Sequence, residues 1–436
     1  MAFDPIQEYL DKVGSFTPST IPPLHKASRS KTSVFSPSTV SRRPYYEDYK
    51  MRALNLNGPG EMGKPVTSGP DEREATENAI DKYGINTVVS DRVSLERHLA
   101  DHRSTGCKNM RYEKKLPAAS CILLFSNEAK SLVLRTVHSI VNRSPAELLA
   151  EVILVDDAST HADLGLPLEE YIASTWPEGF VKILRLRKRH GLMKGRNAGA
   201  RMASGEVIVV MDAHVEVTDG WLEPLLSRIK HNRRELVIPL VPMISPITLE
   251  YIQLSEDALV TTFLWNLEFT WIRLPRPLDR RTSSTQPIRS PTMIGCVFAM
   301  DRNYFFQLGG FDEGMDVWGG ENIELPIRVW LCGGAVNIIP CSRVGHVYRV
   351  KPSWNWKNGN YGYGKNLVRL AEVWFEDYKS LVYLYRPDLK EINAGNLTNQ
   401  LRLKNKLNCK KFKWFLKNVV PFQYVTTEHS TAYGQI

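Results

Sequence analysis

Glu206-Val-Ile-Val-Val-Met-Asp-Ala-His214 is a run of five apolar residues, mostly β-branched, that ends in a carboxylate and an imidazole. β-Branched side chains suit a pleated, buried surface, and an unbroken apolar run of this length fits a strand covered on both faces. Three similar runs precede it: Cys121 to Phe125, Glu151 to Asp157 and Val181 to Leu186. Between the first two, Val133, Val137, Ile140 and Val141 recur at the spacing of one apolar helix face. Strands alternating with helices imply an α/β fold with parallel pairing, a Rossmann-like nucleotide-binding half. In such sheets ligands bind outside the carboxyl ends of the strands. Two of these strands end in acids there, at Val155-Asp156-Asp157 and at Met211-Asp212-Ala213-His214.

A divalent cation that holds a diphosphate needs carboxylate or imidazole ligands on a rigid element, with positions left open for phosphate oxygens. Asp212 and His214 meet that need if the strand end stays extended, because residues i and i+2 then face one side. A further candidate, His346 in Gly345-His346-Val347, closes another apolar run that starts at Val336. Trp318-Gly319-Gly320-Glu321-Asn322 joins a large aromatic, two permissive glycines and a carboxylate just before a helix. The glycines suit a loop that swings with Trp318 as its lid, and Glu321 falls at a helix start where backbone donors order it. Arg189 precedes the helix Met193 to Ser204, where a cation suits a pyrophosphate.

The bulk numbers narrow the class. The chain has 436 residues, 43% of them hydrophobic, and a formal net charge of +9. That length supports one large or two smaller cores. Much of the positive excess is local: Arg402, Lys404, Lys406, Lys410, Lys411, Lys413 and Lys417 crowd a stretch without an acid between Glu391 and Glu428. With no nucleic-acid motif beside it, this patch reads as a solvated face, and no nucleic-acid partner is expected. No uncharged apolar run reaches the roughly 18 to 20 residues of a membrane helix, and the start, Met-Ala-Phe-Asp-Pro, lacks the regions of a signal peptide. Six scattered cysteines without a CxxC pair argue against a zinc knuckle. Cys121 and Cys296 sit in apolar runs and read as buried thiols, which leaves two possible disulfides among the other four.

More than half of the residues from Gly14 to Pro44 are Ser, Thr or Pro, so residues 1–57 read as a disordered, stem-like segment. Residues 58–114 read as an extended arm on the domain, starting from the turns Gly58-Pro59-Gly60 and Gly63-Lys64-Pro65. An α/β domain follows over 115–395, with a Rossmann-like half at 115–225 and a second half at 285–350. Residues Asn366 to Tyr383 read as one helix, and 396–436 as a basic extension. Asn396-Leu397-Thr398 is an acceptable N-glycosylation sequon, whereas Asn142-Arg143-Ser144 precedes Pro145 and lies on a helix.

Taken together these segments resemble the polypeptide N-acetylgalactosaminyltransferases, which start mucin-type O-glycosylation. The resemblance runs from about Gly58 to Phe422. It is carried by Gly58-Pro-Gly-Glu-Met-Gly-Lys-Pro-Val66, Phe125-Ser-Asn-Glu-Ala129, Leu154-Val-Asp-Asp157, Asp212-Ala-His214 with Trp221-Leu-Glu-Pro-Leu-Leu226, Trp318-Gly-Gly-Glu-Asn322, Cys341-Ser-Arg-Val-Gly-His346 and Leu370-Ala-Glu-Val-Trp374. It implies a GT-A glycosyltransferase fold with a mixed central sheet, Mn2+ as cofactor, UDP-N-acetylgalactosamine (UDP-GalNAc) as donor, protein Ser/Thr hydroxyls as acceptors, and retention of configuration. It also implies the Golgi lumen or membrane as location. By position, Asp212, His214 and His346 are then metal ligands. Asp157, Arg189, Arg196, Ala213, Gly295, Trp318 and Arg349 bind the substrate, and Glu321, Trp318 and Arg349 make up the catalytic set. The resemblance pairs Cys107 with Cys341 and Cys332 with Cys409.

Several residues depart from the family pattern. Ile294-Gly295-Cys296-Val297-Phe298 stands where members usually show Ala-Gly-Gly-Leu-Phe, in the segment that approaches the donor sugar, and two added side chains are expected to crowd it. Pro326 replaces a small polar residue in the helix after Asn322, and Pro352-Ser353-Trp354 replaces a Pro-Tyr pair. The family's N-terminal anchor and C-terminal lectin domain are also not among these residues. The alternative reading is a pseudoenzyme of the family that binds UDP, metal or a partner protein without transfer, motivated by Ile294, Cys296 and Ser353.

Overall fold

The computed structural model describes residues 57–425 apart from 254–258, 276, 277, 280 and 351–360. The expectations for residues 1–56, for Pro352-Ser353-Trp354 and for the last eleven residues of the basic extension lie outside the described residues. The arm carries helices α1 (Arg73–Tyr83), α2 (Thr87–Arg92) and α3 (Thr105–Asn109). Then the expected alternation begins: β1 (Ala119–Phe125), α4 (Lys130–Asn142), β2 (Leu149–Asp157), α5 (Leu166–Thr175), β3 (Val181–Leu186), α6 (Leu192–Met202) and β4 (Val207–Asp212). The following elements are β5 (Val215–Val217), α7 (Leu222–His231), β6 (Glu235–Leu240), β7 (Met243–Ile244), β8 (Tyr251–Ile252) and the hairpin β9 (Leu259–Phe263) with β10 (Phe269–Arg273). After them come β11 (Ile288–Arg289), β12 (Val297–Asp301), α8 (Arg302–Gln307), α9 (Glu321–Leu331) and the long β13 (Ala335–Val347). Helices α10 (Tyr361–Trp374), α11 (Lys379–Tyr385), α12 (Thr398–Leu407) and α13 (Phe412–Asn418) complete the described chain.

The central sheet is mixed, in the order β3-β2-β1-β4-β12-β6-β13-β7-β8. β1 pairs in parallel with β2 and β4, whereas β12 runs antiparallel to both β4 and β6. The chain therefore builds outward from β1 to β3 and returns to lay β4 on the other side of β1. The crevice at the carboxyl ends of β1 and β4 is the point where strand order reverses, the usual ligand position in such sheets. Register places Leu124 beside Asp212, so the loop after β1 overhangs the end of β4. Helix α6 packs closely on β1 and β2 because its sheet face carries glycines. A Cβ at Gly199 would lie 2.4 Å from Ile122, and one at Gly195 2.5 Å from Leu124. That approach brings Arg196, one residue beyond Gly195, beneath Asp212.

Three sequence expectations need correction. The 58–114 arm is not extended throughout. It folds into α1 to α3, with Gly84 closing α1 in the left-handed region (φ 68°) and the side chains of Asn86 and Ser104 capping α2 and α3. The helix expected over Asn366 to Tyr383 breaks at Glu376, whose φ of 54° α-helix geometry does not allow, and resumes at Lys379. The break lets Phe375 stack on Phe412, with centroids 4.2 Å apart. Finally, the basic extension that begins at 396 is anchored in the domain by residues 412–420. Phe412, Phe415, Leu416 and Val420 recur at helical spacing and are buried in the main core.

Cys107 of α3 is bonded to Cys341 of β13, and Cys332 to Cys409, while Cys121 and Cys296 are buried free thiols. No helix among the described residues is long and apolar enough to cross a membrane. Asn396 is exposed, whereas Asn142 is buried.

Candidate functional site

Strand β4 ends at Asp212, and the chain bends through Ala213 and His214 before β5. The two side chains thus do not share one extended strand, contrary to the simple i, i+2 argument. The bend arises because β5 leaves β4 to pair with β13, which sets Val215 beside His346. Pairing across that ladder, rather than alternation along one strand, gathers the three residues. One ligand atom from each of Asp212, His214 and His346 lies within 4.8 Å of the others. Asp212 Oδ2 is 3.3 Å from His346 Nε2 and 3.8 Å from His214 Nε2. Ala213 between them is fully buried.

The surroundings prepare these groups as ligands. Burial acts first to push the Asp212 carboxyl up, but the hydrogen bond from His346 and the Arg196 charge overcome it and hold it well below the usual carboxylate range. Burial, the largest effect on His346, lowers its pKa and favours the neutral imidazole that a metal requires. His214 Nδ1 is 2.8 Å from Glu128 Oε2, which turns Nε2 toward Asp212, the arrangement in which a carboxylate fixes a metal-binding imidazole. Glu128 also takes a hydrogen bond from Arg349, whose other nitrogen donates to the carbonyl of Tyr83 in the arm. Burial alone would raise the Glu128 carboxyl; Arg349 and then His214 hold it down to about 2. Replacing Glu128 by Gln removes the charge that balances Arg349 and orients His214. Mn2+ affinity is expected to fall about 10- to 100-fold, read by calorimetric titration. Unchanged affinity would show that Glu128 does not orient the site.

Of the other expected site residues, Arg196, Glu321 and Gly295 gather beside Asp212. Arg196 is buried, donates to Asp212 Oδ1 at 2.8 Å, and keeps Nε and Nη1 without a partner. Glu321 opens α9 with its Oε2 buried and unpartnered, and burial raises its pKa. Gly295 packs against it so closely that a Cβ would lie 2.9 Å from Glu321 Oε1. Asp157 accepts from the backbone N–H groups of His190 at 2.6 Å and Gly191 at 2.8 Å, fixing the loop on which Arg189 is exposed. That loop meets the Trp318 segment, where Leu192 N–H donates to Val317 O at 2.7 Å.

Trp318 stacks on Tyr363 with centroids 6.1 Å apart and is 39% exposed. Its loop is tied from α10: Asn366 Nδ2 lies 2.8, 3.1 and 2.9 Å from the carbonyls of Asp316, Trp318 and Gly319. Asn366→Ala leaves those buried carbonyls with one partner fewer. It is expected to cost about 1–3 kcal/mol in denaturant unfolding and to raise the donor KM, and an unchanged midpoint would count against the tie. Neither Glu128 nor Asn366 was assigned a role from sequence. A carboxylate three residues beyond the first strand of a switch-point sheet is a usable signal for Glu128; Asn366 offers none.

Comparison with known proteins agrees with this architecture. Residues 120–309 match the model of glycosyl transferase family 2, and residues 278–353 that of the N-terminal domain of galactosyltransferase. Probable N-acetylgalactosaminyltransferase 9 of Caenorhabditis elegans is 45% identical over 386 residues, covering 87% of this chain and 66% of that protein. Human polypeptide N-acetylgalactosaminyltransferase 13 is 44% identical over 370 residues, covering 84% of this chain and 66% of its own length. The chain thus spans just under two thirds of these curated relatives. A crystal structure of GalNAc-T7 with UDP, GalNAc and Mn2+ superposes with a TM-score of 0.80 at 37% identity, over 85% of this chain and 69% of that one. The mixed sheet is accordingly that of a GT-A glycosyltransferase, and the chain belongs to the polypeptide N-acetylgalactosaminyltransferase family.

Proposed function

We propose that the protein transfers N-acetylgalactosamine from UDP-GalNAc to Ser or Thr hydroxyls of proteins, with retention of configuration, and so initiates mucin-type O-glycosylation. The observation that carries this reading is the Asp212, His214 and His346 cluster at the switch point, beside buried Arg196 and Glu321 atoms that have no partner among the described residues. Buried polar groups without partners are costly, so such a grouping is suited to a polar ligand. Two imidazoles and one carboxylate fit Mn2+, with further positions left for diphosphate oxygens. When bound, the ion supplies charge neutralisation for the departing UDP.

The residues of the chain do the remainder. Asp157 holds the Arg189 loop and serves the uracil, Arg349 faces the diphosphate, and Glu321 accepts from sugar hydroxyls, which relieves its buried carboxylate. Trp318 closes over the donor and excludes water. The C1–phosphate bond breaks as the C1–acceptor oxygen bond forms on the same face, and the acceptor proton passes to the leaving phosphate oxygen. No side chain is then needed as nucleophile. The proposed setting is the Golgi lumen.

Incubation with UDP-GalNAc, Mn2+ and a Thr- and Pro-rich peptide tests this directly. One N-acetylhexosamine should be added to the peptide, and a chelator should stop the reaction. UDP binding with no gain in peptide mass would instead support the pseudoenzyme reading, which the buried side chains of Ile294 and Cys296 favour.

A further inference from the structure

We infer that Pro326, through the carbonyl of Asn322, positions the strap 293–296 against Glu321 and thereby sets the width of the sugar-facing part of the pocket. Pro326 lies inside α9, at the sixth residue of the helix that Glu321 opens. A proline there has no N–H for the carbonyl four residues back, and its ring pushes that carbonyl away from the helix axis. The carbonyl concerned is that of Asn322. It accepts instead from the backbone N–H of Met293 at 3.2 Å, on a separate segment.

That segment holds Ile294 and Cys296, two of the departures from the family pattern. It is strapped at three places. Thr292 N–H donates to Thr261 O at 3.2 Å, Met293 to Asn322, and Cys296 O accepts from Asp212 N–H at 2.9 Å. Of these three, the middle tie is the one that reaches the helix of Glu321, which Trp330 Nε1 also joins to Ser290 O at 3.0 Å just upstream. Met293, Ile294 and Cys296 are buried, and a Cβ at Gly295 would meet Glu321 Oε1 at 2.9 Å and Asn322 Cβ at 3.4 Å. The two segments touch with no spare space, so a shift at the tie moves Gly295 against the Glu321 carboxylate. Two residues beyond Pro326, Arg328 anchors α9 through the carbonyls of Leu308 at 2.6 Å and Gly310 at 2.5 Å, and reaches back across the proline to Glu324 Oε2 at 2.8 Å. Pro326 touches no substrate in this scheme; it is a positioning residue.

Pro326→Ala restores an N–H that competes for Asn322 O, and Ala favours a helix interior by about 3 kcal/mol over Pro, so the variant folds. Hydrogen exchange on the whole chain reads the tie without reference to activity. Exchange at the Met293 amide should quicken about tenfold, the worth of one hydrogen bond, while the Asp212 amide keeps its protection. Pro326→Ser, which also restores the N–H, should do the same. With Mn2+ present, calorimetry should show UDP-GalNAc binding weakened about three- to tenfold and UDP binding unchanged. Unchanged exchange at Met293 overturns the inference, as does equal weakening of both nucleotides or of neither. The pocket's identity rests on the functional reading above. If neither nucleotide binds the parent protein, that reading fails and the exchange result alone decides the tie.

Discussion

Asp212→Asn should lose transfer by about 10³-fold or more in kcat/KM while the protein stays folded. A metal ligand contributes several kcal/mol of charge stabilisation in the transition state, and each 1.36 kcal/mol is about tenfold in rate. The amide keeps an oxygen for Arg196, now 2.8 Å from Oδ1, but supplies no negative charge to an ion or to that guanidinium. Asp212 is about a quarter exposed, but Arg196 is 1% exposed and loses its counter-charge, so the melt should fall while the protein stays folded. Steady-state kinetics with varied Mn2+, together with a thermal melt, separate the two effects. Wild-type turnover in the variant would remove this cluster from the mechanism.

Arg97→Ala acts on stability instead, at an expected cost of about 3–5 kcal/mol, because it strands a buried carboxylate. Arg97 reaches from the arm to Glu216 of β5 with Nε–Oε2 at 2.9 Å and Nη2–Oε1 at 2.7 Å, and its Nη1 donates to Leu249 O at 2.9 Å. The two side chains are 0% and 4% exposed. Denaturant unfolding should show the loss, and a double change, Arg97→Met with Glu216→Leu, should recover most of it. A loss under about 1 kcal/mol for Arg97→Ala would mean that water reaches the pair. Burial acts to raise the Glu216 carboxyl, but Arg97 outweighs it, and the folded-state pKa lies below the usual 4.5. For a depressed carboxylate the stabilisation is complete above the unfolded value and disappears as pH falls through the folded one. Acid titration of Glu216→Gln should therefore be flatter below about pH 4.5 than that of the parent.

The strands that build the crevice were legible because each is an apolar run buried on both faces, as at Val207 to Met211. Asp212 and Asp157 stood out as carboxylates at the ends of such runs. What brings His346 to Asp212 was not legible, since it depends on the β5–β13 ladder between residues more than a hundred positions apart. The break at Glu376 escaped notice for a related reason. Local helical periodicity continues through it, and the stacking of Phe375 on Phe412 overrides that pattern. Charge likewise hid the role of the C-terminal helices. Six lysines and an arginine read as a solvated face, while Phe412 and Phe415 between them enter the core.

The arm has a consequence for the order in which the protein matures. Tyr83 supplies the carbonyl that Arg349 grasps across 266 positions, and Cys107 awaits Cys341 across 234. During synthesis the arm leaves the ribosome long before either partner exists. Contacts this distant in sequence close late, after the entropy of a long loop has been overcome. The Asp212, His214 and His346 cluster is therefore among the last features to form, and a chain halted before residue 341 would expose an unpaired Cys107 thiol, a chemical mark of immaturity in an oxidising compartment.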